Sequence, residues 1–95
     1  MKMNIGVLQV DLKIGDARNV REKRRIVQSL KSRWRSRHNV SVAEVEYLEH
    51  PQQAMLGVAM VGNDSRFLES ALAELIEHLK KERRAELLDF QIDII

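Results

Sequence analysis

The sequence predicts an α+β fold of the ferredoxin-like class, in which a four-stranded antiparallel sheet carries both helices on one face. Strand and helix patterns alternate in the order βαββαβ over 95 residues, a length typical of one domain. Each helical segment has an apolar stripe on one side only. Right-handed crossovers then place the two helices on the same face of the sheet. We therefore expect residues 1–95 to form a single domain.

The first strand and the first helix are predicted from apolar patterning and from turn residues. Asn4–Ile14 has apolar side chains on both faces, as central strands do, and a Gly-Asp pair follows it. Asn19 and Glu22 then stand at the N-cap and N3 positions of a capping box. The helix extends to about Arg37, and its apolar residues share an arc of about 120°. They are Val20, Ile26, Val27, Leu30 and Trp34.

The second half of the chain contains two strands, a helix and a last strand. β-branched residues alternate over 38–47, Pro51 marks a turn, and Ala54–Val61 is apolar on both faces. Asn63, Asp64 and Ser65 supply the N-cap chemistry of the second helix. Its expected apolar stripe is Phe67, Leu68, Ala71, Leu72, Leu75, Ile76 and Leu79. The last strand is expected from Glu86 to Ile95, with Leu88, Phe90, Ile92 and Ile94 facing inward.

Composition and motifs argue against several functional classes. The chain has no cysteine, and its apolar stretches are too short to span a membrane. The N-terminal segment lacks the apolar region of a signal peptide, so we expect a cytoplasmic protein with no membrane contact. Nucleotide-binding and nucleophile motifs are missing, and the three histidines are not spaced as metal ligands. We accordingly expect no enzyme activity, no metal and no cofactor.

Charge is distributed unevenly along the chain. Residues 1–43 contain eleven Lys and Arg against three acids, whereas the rest contains five against eleven. Within the first helix, Arg24, Gln28, Lys31 and Arg35 form a stripe at helical spacing. Cations in the first turns also oppose the helix dipole, which indicates a function other than stability. The candidate phosphate-binding residues are Arg21, Lys23, Arg24, Arg25, Lys31 and Arg35. The alternative is that this face is merely solvated, or paired with acids of the second half.

Lys23 differs from the other cations, because the helical wheel places it within the apolar arc. We expect its long stem to pass beyond the sheet edge and bring the ammonium group to water. The alternative is an ion pair with a carboxylate near the sheet, such as Glu44 or Asp11.

The sheet face that the helices leave uncovered indicates how the protein could associate with itself and how it could bind RNA. The first and third strands carry apolar residues on both faces, but two helices cover only one. The other face would expose an apolar patch of a size that monomers rarely show, which predicts a homodimer. Neither strand contains an aromatic residue, so the face lacks the base-stacking platform of RNA-recognition motifs. Contact of the basic helix with backbone phosphates is the form of RNA binding that remains.

The stretches NVREKRRIVQSLKSR and HNVSVAEVEYLEHPQQAMLGVAMVGND resemble the YlxP-like family of small bacterial proteins. The resemblance runs from Asn4 to Asp64 and fades over the second helix. It implies a ferredoxin-like fold in a bacterial cytoplasm. Because genes of this family often lie among those for translation initiation and ribosome maturation, it also implies a link to RNA or the ribosome. Asn19 and Val20 stand where the family typically has Ser and Leu.

Two functions are therefore expected. The first is an RNA- or ribosome-associated binding protein that uses the basic first helix. The second is a homo-oligomeric regulatory or scaffold module that does not bind nucleic acid.

Overall fold

The computed structural model describes residues 2–95 and has the predicted order of elements. They are β1 (Asn4–Lys13), α1 (Val20–Arg37), β2 (Val40–Glu46), β3 (Gln53–Gly62), α2 (Ser65–Lys80) and β4 (Glu86–Ile94). The strands form one sheet in the order β2-β3-β1-β4, and every pair of neighbours is antiparallel. This is the ferredoxin-like α+β fold that the sequence predicts.

The core lies between the helices and one face of the sheet. On β1, alternate residues Leu8, Val10 and Leu12 are fully buried, as the period of two in a strand requires. The cross-strand partners of Leu8 and Val10 on β3, Val58 and Leu56, are buried with them. From the helices come two buried stripes, one on each. They are Val27, Leu30 and Trp34 on α1, and Leu68, Ala71, Leu72, Leu75, Ile76 and Leu79 on α2.

A glycine in β1 allows α2 to approach the sheet closely. A Cβ atom at Gly6 would lie 2.9 Å from Leu72 Cδ1 and 3.4 Å from Leu68 Cβ. Since real Cβ atoms do not approach other carbons to within 3.0 Å, a larger residue at Gly6 would require the Leu72 side chain or α2 itself to move.

Three residues expected to face inward are exposed instead. Phe67 precedes Leu68 by one residue, which turns it about 100° from that buried side chain and leaves it 62% exposed. In β4, a register shift places Leu87 opposite the buried Leu12, so Leu88 is displaced and 49% exposed. Phe90 pairs with Val10 but keeps 46% exposure, because β4 is an edge strand.

Within residues 2–95, neither helix combines the length and the apolar character that a membrane crossing requires.

Candidate nucleic-acid interface

Local hydrogen bonds set the start of α1 and therefore the direction of its basic side chains. Asn19 is the N-cap, and its Oδ1 accepts a hydrogen bond of 2.9 Å from the Glu22 amide. The Glu22 carboxylate in turn accepts bonds from the Arg18 amide (2.7 Å) and from Arg18 Nε (3.1 Å). The bond from the Arg18 amide lowers the pKa of Glu22 below its usual range. This is the predicted capping box, with Arg18 rather than Asn19 as the second donor.

Burial of one side of α1 directs most of its cations to the opposite side. With Val27, Leu30 and Trp34 packed in the core, Arg21, Arg24, Arg25 and Arg35 are exposed and Lys31 is half-buried. We call these five residues the outer basic face: Arg21, Arg24, Arg25, Lys31 and Arg35. They belong to the predicted phosphate-binding set, and the helix brings them to one surface.

Only part of the outer basic face is engaged within the protein. Arg24 Nη2 lies 3.2 Å from Glu49 Oε1, an ion pair in which both side chains are mostly exposed. Arg35 Nη2 donates a 3.1 Å hydrogen bond to the Val42 carbonyl on β2. In residues 2–95, no carboxylate lies within 4 Å of the charged groups of Arg21, Arg25, Lys31 or Arg35. Of the five residues of the outer basic face, only Arg24 therefore forms an ion pair with an acid of the second half of the chain.

Lys23 does not belong to this surface, and the expectation that its ammonium group reaches water is wrong. The residue is fully buried, and Lys23 Nζ lies 2.8 Å from Glu44 Oε2. It also donates to the carbonyls of Tyr47 (2.7 Å), Gln53 (3.0 Å) and Leu48 (3.4 Å). The alternative partner Glu44 is correct. An ammonium group enclosed by a carboxylate and three carbonyls has no donor left for a phosphate.

The contacts of Lys23 hold the loop between β2 and β3 against the start of α1. Tyr47 is the non-glycine residue with a positive φ among those described, at 62°, a conformation that costs energy for a bulky side chain. Because the Tyr47 carbonyl accepts the shortest bond from Lys23, this contact compensates for that backbone conformation. The same loop carries Glu49, which explains why an acid reaches Arg24 at the edge of the outer basic face.

The uncovered face of the sheet is apolar over part of its area, and it also carries Gln9 and Asp11 of β1. Ile5 and Val7 on β1 and Met55 on β3 are half-buried there, whereas Ala59 and Val61 are exposed. The same face includes Val45 of the edge strand β2 and Gly57 of β3. Val45 lies over Gly57, and a Cβ at Gly57 would be 3.1 Å from Val45 Cγ1. No aromatic residue occurs in β1 or β3.

A second concentration of cations was missed by the sequence analysis. The C-terminal end of α1 and the segment after α2 enclose a cleft of about 430 Å³. It is lined by Arg33, Arg37, His78, Lys81, Glu82, Arg83 and Arg84. The run KKERR at residues 80–84 was the available signal, but it lies in the half of the chain whose net charge is negative.

Two of the three histidines, His38 and His78, lie near Glu74, and His78 also lines that cleft. Glu74 Oε1 is 4.0 Å from His38 Nε2 and 3.8 Å from His78 Nε2. In residues 2–95 no group of three or more His, Asp or Glu side chains is arranged to hold a metal ion.

Comparison with known proteins gives a family and a fold. A family model described as "Protein of unknown function (DUF503)" matches residues 5–92, which extend from β1 into β4. No curated protein matches the chain. The structure is similar to a "De novo designed protein Foldit4", with a TM-score of 0.57, 11% identity and coverage of 99% of this chain and 97% of that one. A second similarity, with a TM-score of 0.47 and 9% identity, covers 100% of this chain and 58% of a "REP associates tyrosine transposase bound to a REP hairpin".

Proposed function

This chain belongs to the DUF503 family, whose description assigns no activity, and we propose from its geometry that it binds RNA, free or within the ribosome. The outer basic face of α1 is the proposed contact surface. The finer resemblance to the YlxP-like family, with its bacterial cytoplasmic setting, is part of the same proposal. A binding role rather than catalysis is proposed, since no paired nucleophile and base occurs on this face.

The observation that carries the proposal is a row of cations that the protein itself leaves largely without acidic partners. Four of the five residues have no carboxylate within 4 Å in the described part of the chain. From Arg21 to Arg35 the helix rises about 21 Å, at about 1.5 Å per residue, a length that spans several phosphates of an RNA strand. Surface helices that serve solubility usually interleave acids with bases at i, i+4, and this face does not.

The expected mode of binding is contact with the phosphate backbone. Arginine and lysine on a rigid helix neutralise phosphates without reading bases, which gives affinity that is tolerant of sequence and sensitive to salt. The absence of aromatic residues from β1 and β3 is consistent with this mode, because bases would find no stacking platform on the sheet.

A charge-matched pair of triple variants tests the proposal. Arg21, Arg24 and Arg25 are changed to Gln in one protein, and the control changes Lys13, Arg66 and Lys80 to Gln elsewhere on the surface. Fluorescence anisotropy with a mixed-sequence single-stranded RNA is measured over a range of salt concentrations. Five phosphate contacts predict a slope of log K against log salt of about −3.5, and loss of three predicts about −1.4.

The control separates a defined surface from general attraction. We expect the control variant to keep a slope near that of the unmodified protein, since its three cations lie outside α1. Equal weakening of both variants would show that binding follows net charge alone. Failure of the unmodified protein to bind either the RNA or isolated ribosomal subunits at low salt would refute the proposal.

A homodimer formed through the uncovered sheet face is the second candidate, as a regulatory or scaffold module. It is favoured by the apolar residues of that face, of which Val45 and Val61 are each about half exposed. A second copy of the chain would bury this patch, whereas a monomer leaves it in water.

Two substitutions on neighbouring strands distinguish the two faces of the sheet. Val61→Asp adds a charge to the uncovered face and is expected to give a folded monomer. Leu8→Asp places a charge in the core and is expected to unfold the protein. Sedimentation equilibrium measures the mass, and circular dichroism measures folding. A monomeric unmodified protein at micromolar concentration would contradict this candidate, and a dimer with no affinity for RNA would favour it over the first.

A further inference from the structure

The cleft at the C-terminal ends of the two helices has a charge composition unlike the rest of the surface. Five of its lining residues are Lys or Arg, one is acidic and one is histidine. Arg33 and Arg37 enter it from α1, on the flank that faces α2. By the helical wheel that flank is distinct from the outer basic face, whose residues lie about 80–180° around the helix from Arg33 and Arg37. The cleft is therefore a separate feature.

Glu82 holds two of the arginines of the cleft in place. Its side chain is only 7% exposed and accepts hydrogen bonds from Arg84 Nε (3.1 Å) and Arg84 Nη2 (3.0 Å). Arg33 Nη1 lies 3.4 Å from the same carboxylate. The bonds from Arg84 lower the pKa of Glu82 to about 2, so the carboxylate stays charged. Arg84 Nη2 also reaches Ser29 Oγ at 3.3 Å, which fixes the guanidinium between the helices.

The other three cations of the cleft have no such partner. In residues 2–95, no carboxylate lies within 4 Å of Arg37, Lys81 or Arg83. Arg37 Nη1 lies 3.4 Å from His78 Nε2 instead. Helix dipoles favour a cation at Arg37, the last residue of α1, and at Lys81, the C-cap of α2, but the effect does not extend to Arg83, three residues after α2. Glu82 offsets only one of the five positive charges, and the excess cations repel each other unless a further anion lies among them.

We propose that this cleft binds the phosphate or pyrophosphate group of a small phosphorylated molecule. Guanidinium groups match phosphate oxygens with paired hydrogen bonds, and two of those available are already oriented by Glu82. The volume of about 430 Å³ lies in the range of small-molecule sites, which suits a phosphate with a modest organic group. This inference does not depend on RNA binding by α1.

Inorganic pyrophosphate is the probe for the test, titrated by isothermal calorimetry in a low-salt chloride buffer. The variant Arg37→Gln/Arg83→Gln removes two cations that have no carboxylate partner, so folding is expected to be unaffected. The matched control Arg21→Gln/Arg25→Gln removes the same charge from the outer basic face. We expect affinity for pyrophosphate to fall at least about tenfold in the cleft variant and to change little in the control.

Several outcomes would overturn the proposal. They are no binding by the unmodified protein, equal weakening in both variants, or unchanged affinity in the cleft variant. An RNA titration of the same proteins identifies the source of the phosphate. If the cleft variant loses RNA affinity more strongly than the control does, the cleft is part of an RNA surface, and a small-molecule occupant is excluded. If AMP and ADP bind and the cleft variant keeps the RNA affinity of the unmodified protein, the small-molecule occupant is supported.

Discussion

Lys23 and Arg24 are neighbours in α1, yet the protein uses their charges in opposite ways. Lys23 is fully buried and donates to one carboxylate and three carbonyls. Arg24 is 55% exposed and meets a single carboxylate, Glu49, that is itself 88% exposed. A difference of about 100° around the helix therefore decides whether a cation stabilises the fold or remains available to a ligand.

The physical reason is the solvent around each pair. A buried ammonium group has lost its hydration, so it depends on Glu44 and the loop carbonyls, and removal of either partner leaves the other uncompensated. Arg24 and Glu49 are exposed, so each charge is hydrated nearly as favourably when the two are apart as when they are paired. The ion pairs of Glu82 are intermediate in burial, because the carboxylate is 7% exposed but its partners Arg33 and Arg84 are 43% and 40% exposed. Substitutions in each of the three ion pairs test this order.

The largest effect is expected for Lys23→Met, because it leaves Glu44 and three carbonyls without their donor. We expect a loss of about 3–5 kcal/mol in the free energy of unfolding, measured by urea denaturation. Arg25→Met on the exposed side is the control and should change stability by less than about 0.5 kcal/mol. The double variant Lys23→Met/Glu44→Leu should recover part of the loss, since it removes the uncompensated carboxylate. A loss below about 1 kcal/mol in the single variant would contradict the buried network.

An intermediate, pH-dependent effect is expected for Glu82. The pKa of Glu82 is about 2 in the folded protein, below the ordinary value of 4.5. The stabilisation of the fold by this carboxylate is therefore complete above pH 4.5 and is lost as the pH falls toward 2. Glu82→Gln should remove on the order of 2–3 kcal/mol at neutral pH, and its stability should fall less than that of the unmodified protein between pH 4.5 and 2. Urea denaturation at several pH values measures this. Parallel pH profiles for the two proteins would show that Glu82 is not the group responsible.

The smallest effect on stability is expected for the exposed pair. Arg24→Gln and Glu49→Gln should each change the free energy of unfolding by less than about 0.5 kcal/mol, because salt and water screen the pair. Thermal denaturation at low and high salt is a suitable measurement. A change comparable to that of Lys23→Met would mean that exposure does not set the order of these interactions.

Much of the fold follows from local patterns in the sequence. The capping residues Asn19 and Asp64 begin the two helices, as their side chains accept the first free amide hydrogens. Apolar residues on both faces identify β1 and β3 as central strands, and short turns with right-handed crossovers leave few ways to connect the strands. These are preferences of neighbouring residues, so a single chain suffices to predict them.

Contacts between residues far apart in the chain could not be predicted from such local patterns. A register shift between β1 and β4 decided that Leu87 rather than Leu88 faces the core. The acceptors of Lys23 lie more than twenty residues later, in β2 and in the loop that follows it. The helical wheel therefore showed an inward cation, with Glu44 as only one of its possible partners and the loop carbonyls unforeseen.

The sequence by itself determined the order of elements, the buried side of each helix and the direction of the outer basic face, because these depend on spacing along the chain. Only the tertiary structure decided which cations remain available. It buried Lys23 against Glu44, and it brought Arg37 of α1 together with Arg83 beyond α2, forty-six positions later in the chain. Coulombic interactions depend on distance and on the surrounding dielectric, and folding sets both.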